Sequence, residues 1–150
     1  MSPKPRTPRR LSALVLATLI VSSAALPSLA DVLRVTVTDL RSERGNVHIA
    51  LYATPESFPK SDGMLADAVL PARYGGVTAT FPGLPPGAYA LAVYHDENGN
   101  GEFDRAFLNI PLEGYAFSND ASPFFGPPDF TDAAIQLTGP VTDVTIPITY

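Results

Sequence analysis

The chain has no cysteine among its 150 residues. Without thiols there is no disulfide framework, thiolate zinc site, iron–sulfur cluster or cysteine nucleophile. Positive charge is also scarce. Only six of the ten Lys and Arg residues, but all fifteen Asp and Glu, fall in residues 31–150, which gives that segment a net charge of −9. Such a balance excludes a nucleic-acid partner held through its phosphates, and it disfavours docking on anionic lipid. The only long apolar run is Leu11 to Leu26. At about 16 residues it is shorter than the roughly 20 of a membrane span, and Pro27 follows it directly.

That run has a basic, proline-broken segment in front of it (Met1 to Arg10) and Pro27-Ser28-Leu29-Ala30 behind it. This three-part order is that of a secretory signal peptide, and small residues at Ser28 and Ala30 suit signal peptidase, placing the cut before Asp31. Arg9-Arg10 also raises twin-arginine export, although Leu11-Ser12-Ala13 does not continue that pattern. Residues 1–30 are therefore expected to be a leader and residues 31–150 one domain. The expected location is a periplasm or the cell exterior, with no stable membrane insertion after cleavage.

From Asp31 onward the pattern is one of period two. Leu33, Val35 and Val37 alternate with Arg34, Thr36 and Thr38, and Val47, Ile49 and Leu51 alternate with His48, Ala50 and Tyr52. The polar Arg41–Asn46 segment between them reads as a hairpin turn. Val77, Ala79 and Phe81, a Pro/Gly-rich turn, and then Tyr89, Leu91 and Val93 predict a second hairpin-like unit. Residues 54–76 read mostly as loop, and 134–137 and 141–148 as the last strands, with Val144, Ile146 and Ile148 inward. The expected fold is all-β: an antiparallel β-sandwich of about seven strands, Ig-like, with one long irregular loop. A connection of about 35 residues is more often functional than idle, which directs attention to residues 94–130.

Asp96, Asn98, Asn100, Gly101 and Asp104 occupy positions 1, 3, 5, 6 and 9 of a D-x-[DN]-x-[DN]-G calcium loop. Alternate side chains of a curled segment converge on one point, glycine at the sixth position allows the turn, and the seventh carbonyl, that of Glu102, adds an oxygen. Hard oxygen donors favour calcium over zinc or copper. Position 12 is Phe107 rather than a bidentate Glu, so this is not an EF-hand. A closing carboxylate has to come from elsewhere, with Glu113 and Asp120 the nearest, and affinity without one falls to the roughly millimolar class. The alternative is an acidic turn built on Asn98-Gly99 and Asn100-Gly101 with no ion at all.

LRVTV near residue 33, FPGLPPGAYA at 81–90, YHDENGNG at 94–101, PLEGYAFSN at 111–119 and the terminal Tyr150 together resemble the bacterial family called domain of unknown function 2141. The resemblance spans nearly all of residues 31–150. It implies a small exported β-domain and supplies no established activity. Leu84–Tyr89 is also similar to the turn-and-strand entry of transthyretin-like and carboxypeptidase-regulatory-like sandwiches. The hydroxyisourate hydrolases of transthyretin-like fold carry two histidines, an arginine and a Tyr-Arg-Gly-Ser ending, whereas this sequence stops at Tyr150 without that ending.

No catalytic constellation is visible. His48 reads as a surface residue of a strand, and His95 shares the inward alternation of Leu91 and Val93, as a hydrogen-bonded histidine at the core's edge. No G-x-S-x-G turn occurs. Five of the fourteen aromatics, Tyr115, Phe117, Phe124, Phe125 and Phe130, lie within sixteen residues. They serve either as the loop's own small core or as a surface for a carbohydrate, peptide or subunit. The reading is a non-enzymatic exported module with a calcium-stabilised loop, binding an envelope protein or carbohydrate. The alternatives are a small hydrolase using His95 with Asp96 or Glu113, and an oligomerising structural module.

Overall fold

The computed structural model describes residues 31–150; the expected leader lies outside the described residues. Eight strands form two facing sheets: β1 (Asp31–Thr38), β2 (Asn46–Tyr52), β3 (Ala66–Pro71), β4 (Val77–Leu84), β5 (Gly87–Asp96), β6 (Gly114–Phe117), β7 (Ile135–Leu137) and β8 (Val141–Pro147). The smaller sheet runs β4-β1-β8 and the larger β3-β2-β5-β6, with β7 pairing the start of β5. One helical turn, α1 (Phe130–Ala133), precedes β7. The chain is an all-β sandwich. Among the described residues no helix is long and apolar enough to cross a membrane.

The core follows from the alternation. Leu33, Val35 and Val37 of β1, Val47, Ile49 and Leu51 of β2, Leu91 and Val93 of β5 and Ile146 of β8 are buried between the sheets. Ile148 joins them just beyond β8, and Val144 packs partly buried beside them. Such side chains supply most of the driving force, each worth about 1.5–3 kcal/mol when fully buried.

Both expected hairpins are corrected. β1 pairs β4 and β8, whereas β2 pairs β3 and β5, so the segments 39–45 and 85–86 cross from one sheet to the other. Alternation reports which face is buried and carries no information on which strand lies alongside. At 85–86 there is a further reason, since two prolines offer no N–H to a two-residue hairpin and Pro86 keeps Pro85 out of the helical region. β1 and β8 run parallel, Val35 opposite Val144 and Val37 opposite Ile146, an exception in an otherwise antiparallel fold. β3 and β6 lie in segments expected as loop.

A second cluster covers the outer face of the larger sheet, where Tyr52, Phe58, Ala90, Phe130 and Ala133 are buried with Phe117 packed against them. Phe130 and Phe117 thus belong to the long loop's own core, while Phe124 and Phe125 are 84% and 101% exposed. Ser118 fastens this layer: its hydroxyl accepts from the Leu91 N–H at 2.8 Å and donates to the Ala133 carbonyl at 2.5 Å, all out of solvent. Ser118→Ala strands both backbone groups. A loss of about 2–4 kcal/mol is expected in chemical denaturation, with an unchanged far-UV spectrum.

Candidate functional site

β5 ends at Asp96, which is 1% exposed and turns the chain into the loop. One Asp96 carboxylate oxygen accepts from the N–H groups of Gly99 (2.7 Å) and Asn100 (3.2 Å), and the other accepts from Gly101 (2.8 Å). The Asn98 side-chain oxygen accepts from Asn100 N–H at 2.9 Å, and that of Asn100 accepts from Glu102 N–H at 2.8 Å. Gly101 adopts φ +80°, the left-handed conformation that the sixth position requires. The side-chain amides of Asn98 and Asn100 both donate to Asp104 Oδ2, at 2.6 and 3.0 Å. Asp96, Asn98, Asn100 and Asp104 are therefore brought together, and Glu102, whose N–H donates to Asn100, is exposed.

Sheet register brings in the remaining carboxylate. Gly114 lies opposite His95, so Glu113 arrives beside Asp96 after the excursion 104–112 is closed by Leu112 N–H donating to Asp104 O at 3.0 Å. Glu113 Oε2 accepts from Asp104 N–H at 3.1 Å. Among the described residues its Oε1 is buried without a hydrogen bond of normal geometry, although the Glu97 N–H also faces the carboxylate, and the residue is only 6% exposed. Burial pushes the Glu113 carboxyl above its usual range, and the charges of Asp96 and Asp104 add to this, outweighing the N–H groups of Asp104 and Glu97, which pull it down. Asp96 behaves differently. Burial raises it, but the three backbone N–H groups and His48 outweigh burial and hold it below the ordinary value. The antiparallel register carries Asp120 away from the loop, toward the opposite end of β5.

The loop is held from behind by the 39–45 crossing. The Glu97 carboxylate accepts from Arg41, from Ser42 Oγ at 2.6 Å and from Arg44 at 3.4 Å. The Arg41 guanidinium holds the Glu97 carboxyl down at about 2. His95 is fully buried beside this clamp. Its Nε2 donates to the Arg44 carbonyl at 2.8 Å, which fixes Nδ1 as acceptor from the Tyr150 hydroxyl at 2.6 Å. Both nitrogens are engaged, so His95 offers no base to a substrate. His48, expected at the surface, stands half-buried, stacked on Tyr94 with centroids 4.5 Å apart. Its Nε2 lies 3.4 Å from Asp96 Oδ2 without a hydrogen bond. The cross-strand pairing of His48 with Tyr94 was the signal that sequence reasoning lacked.

Among the described residues no three His, Cys, Asp or Glu side chains form a compact metal-binding group by themselves. The loop carries carboxylates and Asn amides and no thiol, a composition that suits calcium rather than zinc; the Asn98 and Asn100 oxygens accept from backbone N–H groups and their amides donate to Asp104. Glu113 stands beside Asp96 and Asp104 with its Oε1 buried and unpaired among the described residues.

In comparisons with known proteins, no curated protein and no solved structure matches the chain. One bacterial family, described as "Uncharacterized protein conserved in bacteria (DUF2141)", matches residues 35–145. That span contains β1 from Val35, the loop, Glu113 and most of β8, and the chain belongs to this family.

Proposed function

We propose that the chain is a non-enzymatic, exported β-sandwich whose 96–104 loop binds calcium and which serves as an accessory or binding module of the cell envelope, in the periplasm or outside the cell. Its partner is an envelope protein or a carbohydrate. Kinship with transthyretin-like and carboxypeptidase-regulatory-like sandwiches belongs to the same reading and rests on the 84–89 turn.

The observation that carries the calcium reading is Glu113 Oε1, a buried carboxylate oxygen without a hydrogen bond of normal geometry among the described residues, set beside two further carboxylates. An unpaired buried charge is costly, and a cation is the usual compensation. Asp96, Asn98, Asn100, Asp104 and Glu113 would hold the ion by side-chain oxygens and Glu102 by its carbonyl; bound calcium would supply charge neutralisation and cross-link the loop to β6. Export is supported by the leader pattern of residues 1–30. The hydrolase alternative draws little support, because His95 has no free nitrogen.

Calorimetric titration of the purified protein with calcium chloride tests the ion site. Saturable binding is expected, weakened about tenfold or more by Asp104→Asn, which keeps the acceptor geometry and removes one charge. Absence of calcium binding to the unaltered chain sinks the reading.

A further inference from the structure

The outer face of the larger sheet carries a hollow that the ion loop overlooks. In cross-strand register, the row Asp67–Ala50–Ala92–Phe117 lies beside the row Val69–His48–Tyr94–Tyr115. Two alanines in the middle of the first row leave a trough, because a methyl group stands where the flanking rows carry rings. Tyr52 stands on the far side of the trough, and Phe103, from the loop, lies over Tyr94 and Tyr115 at centroid distances of 5.5 and 5.7 Å. The resulting cleft has a volume of about 580 Å³, within the range of small-molecule sites.

Its charges are asymmetric. Asp67, from edge strand β3, and Glu102, from the ion loop, both line the cleft, and neither carboxylate has an ion-pair partner among the described residues. Arg105 also lines the cleft, with its guanidinium engaged over Phe103 at 4.9 Å and donating to Asn109 Oδ1 at 3.2 Å, so the two carboxylates outnumber one cation that is already partnered. The Tyr94 hydroxyl is already donated to the Gly101 carbonyl at 3.1 Å. The rim thus presents acceptors and negative charge over an aromatic and methyl lining, in a segment whose net charge is −9. Anions are repelled from such a site. A neutral polyol donates its hydroxyls to such carboxylates but brings no charge to compensate theirs. A cation with apolar substituents satisfies both features, since ring faces and carboxylates attract it while its methyl or methylene groups fill the trough.

We propose that this trough is a binding site for a small organic ammonium ion, quaternary or alkyl-substituted, with its charged nitrogen between Asp67 and Glu102 and its apolar part over Ala50 and Ala92. The proposal rests on the reading of the chain as a binding module and is independent of whether calcium binds.

Choline chloride is the probe, titrated in the presence of chelator and followed by the methyl resonances of Ala50 and Ala92 and the ring resonances of Tyr94 and Phe103. Saturable shifts confined to these residues are expected in the millimolar range. Asp67→Asn, an exposed change on an edge strand, is expected to weaken binding roughly three- to fivefold. Ala92→Leu is expected to abolish it with the other amide shifts retained. Maltotriose and a proline-rich peptide serve as competitors in class. Absence of saturable choline shifts at these methyls overturns the proposal, as does preferential binding of maltotriose or the peptide there. Loss of the calcium response alone leaves it standing, so the two readings fail separately.

Discussion

Gly45→Ala is expected to cost about 2–5 kcal/mol and to abolish any calcium response, the largest effect of an added methyl group at a glycine among the described residues. Gly45 has φ +68°, and a Cβ there overlaps the Asp96 carbonyl oxygen and presses on the carbonyl carbons of Asp96 and Glu97. The left-handed conformation costs a non-glycine residue about 1–2 kcal/mol, and forced overlap adds roughly 1–3 kcal/mol more. Neither neighbour can move cheaply. Asp96 is committed to three N–H groups of the loop and Glu97 to Arg41 and Ser42. Gly83→Ala supplies the control: φ is +80° and a Cβ meets nothing within 4 Å, so only the conformational cost of about 1–2 kcal/mol is expected. Equal losses for the two variants in urea denaturation would show that the close approach of residue 45 to Asp96 contributes nothing.

Glu113→Gln is expected to act with opposite sign in two buffers. In chelator it stabilises by about 1 kcal/mol, or roughly 4 °C, because it removes a buried charge repelled by Asp96 and Asp104 while keeping an oxygen for Asp104 N–H. In calcium it removes the closing ligand, so the variant melts at the same temperature with or without the ion. The pH dependence follows from the raised folded value. Glu113's contribution to stability is fully present below its unfolded value and is lost as pH rises through the folded value. The advantage of Glu113→Gln in chelator therefore shrinks as the pH is lowered and Glu113 takes up its proton. A variant destabilised in chelator at neutral pH would mean that the carboxylate is held by interactions other than those described.

The strands were legible wherever one face is apolar and the other polar, as in β1, β2 and β5, because burial of one face imposes period two. Their partners were not legible. The segments 33–37 and 47–51 alternate in the same way, yet they lie in different sheets and share one buried core, so only tertiary packing separates them. β3 carries Ala66, Ala68 and Leu70 inward with only Val69 as a β-branched residue, too weak a local signal against its Asp62-Gly63 surroundings. β6 has four residues and exists because β5 and Thr149 pair with it. The curl of residues 96–104 was legible for the converse reason: it is made by side chains bonding to backbone two to five residues away, so spacing alone encodes it. Glu113 could be named from the sequence only as a nearby carboxylate. Its place beside Asp96 depends on the pairing of Gly114 with His95, a contact nineteen positions apart in the chain.

The central claim is that Asp96, Asn98, Asn100, Asp104 and Glu113 form a calcium site that stabilises the native sandwich. Thermal unfolding in calcium, in magnesium and in chelator tests it most directly, since an ion that binds only the folded chain must raise the midpoint. At about 10 mM calcium, a site of roughly millimolar affinity adds about 1.4 kcal/mol, a rise of about 4–6 °C. The account predicts that rise for calcium, little or none for magnesium, and none for Glu113→Gln. Identical midpoints in calcium and chelator would contradict it and reduce residues 96–104 to a hydrogen-bonded turn.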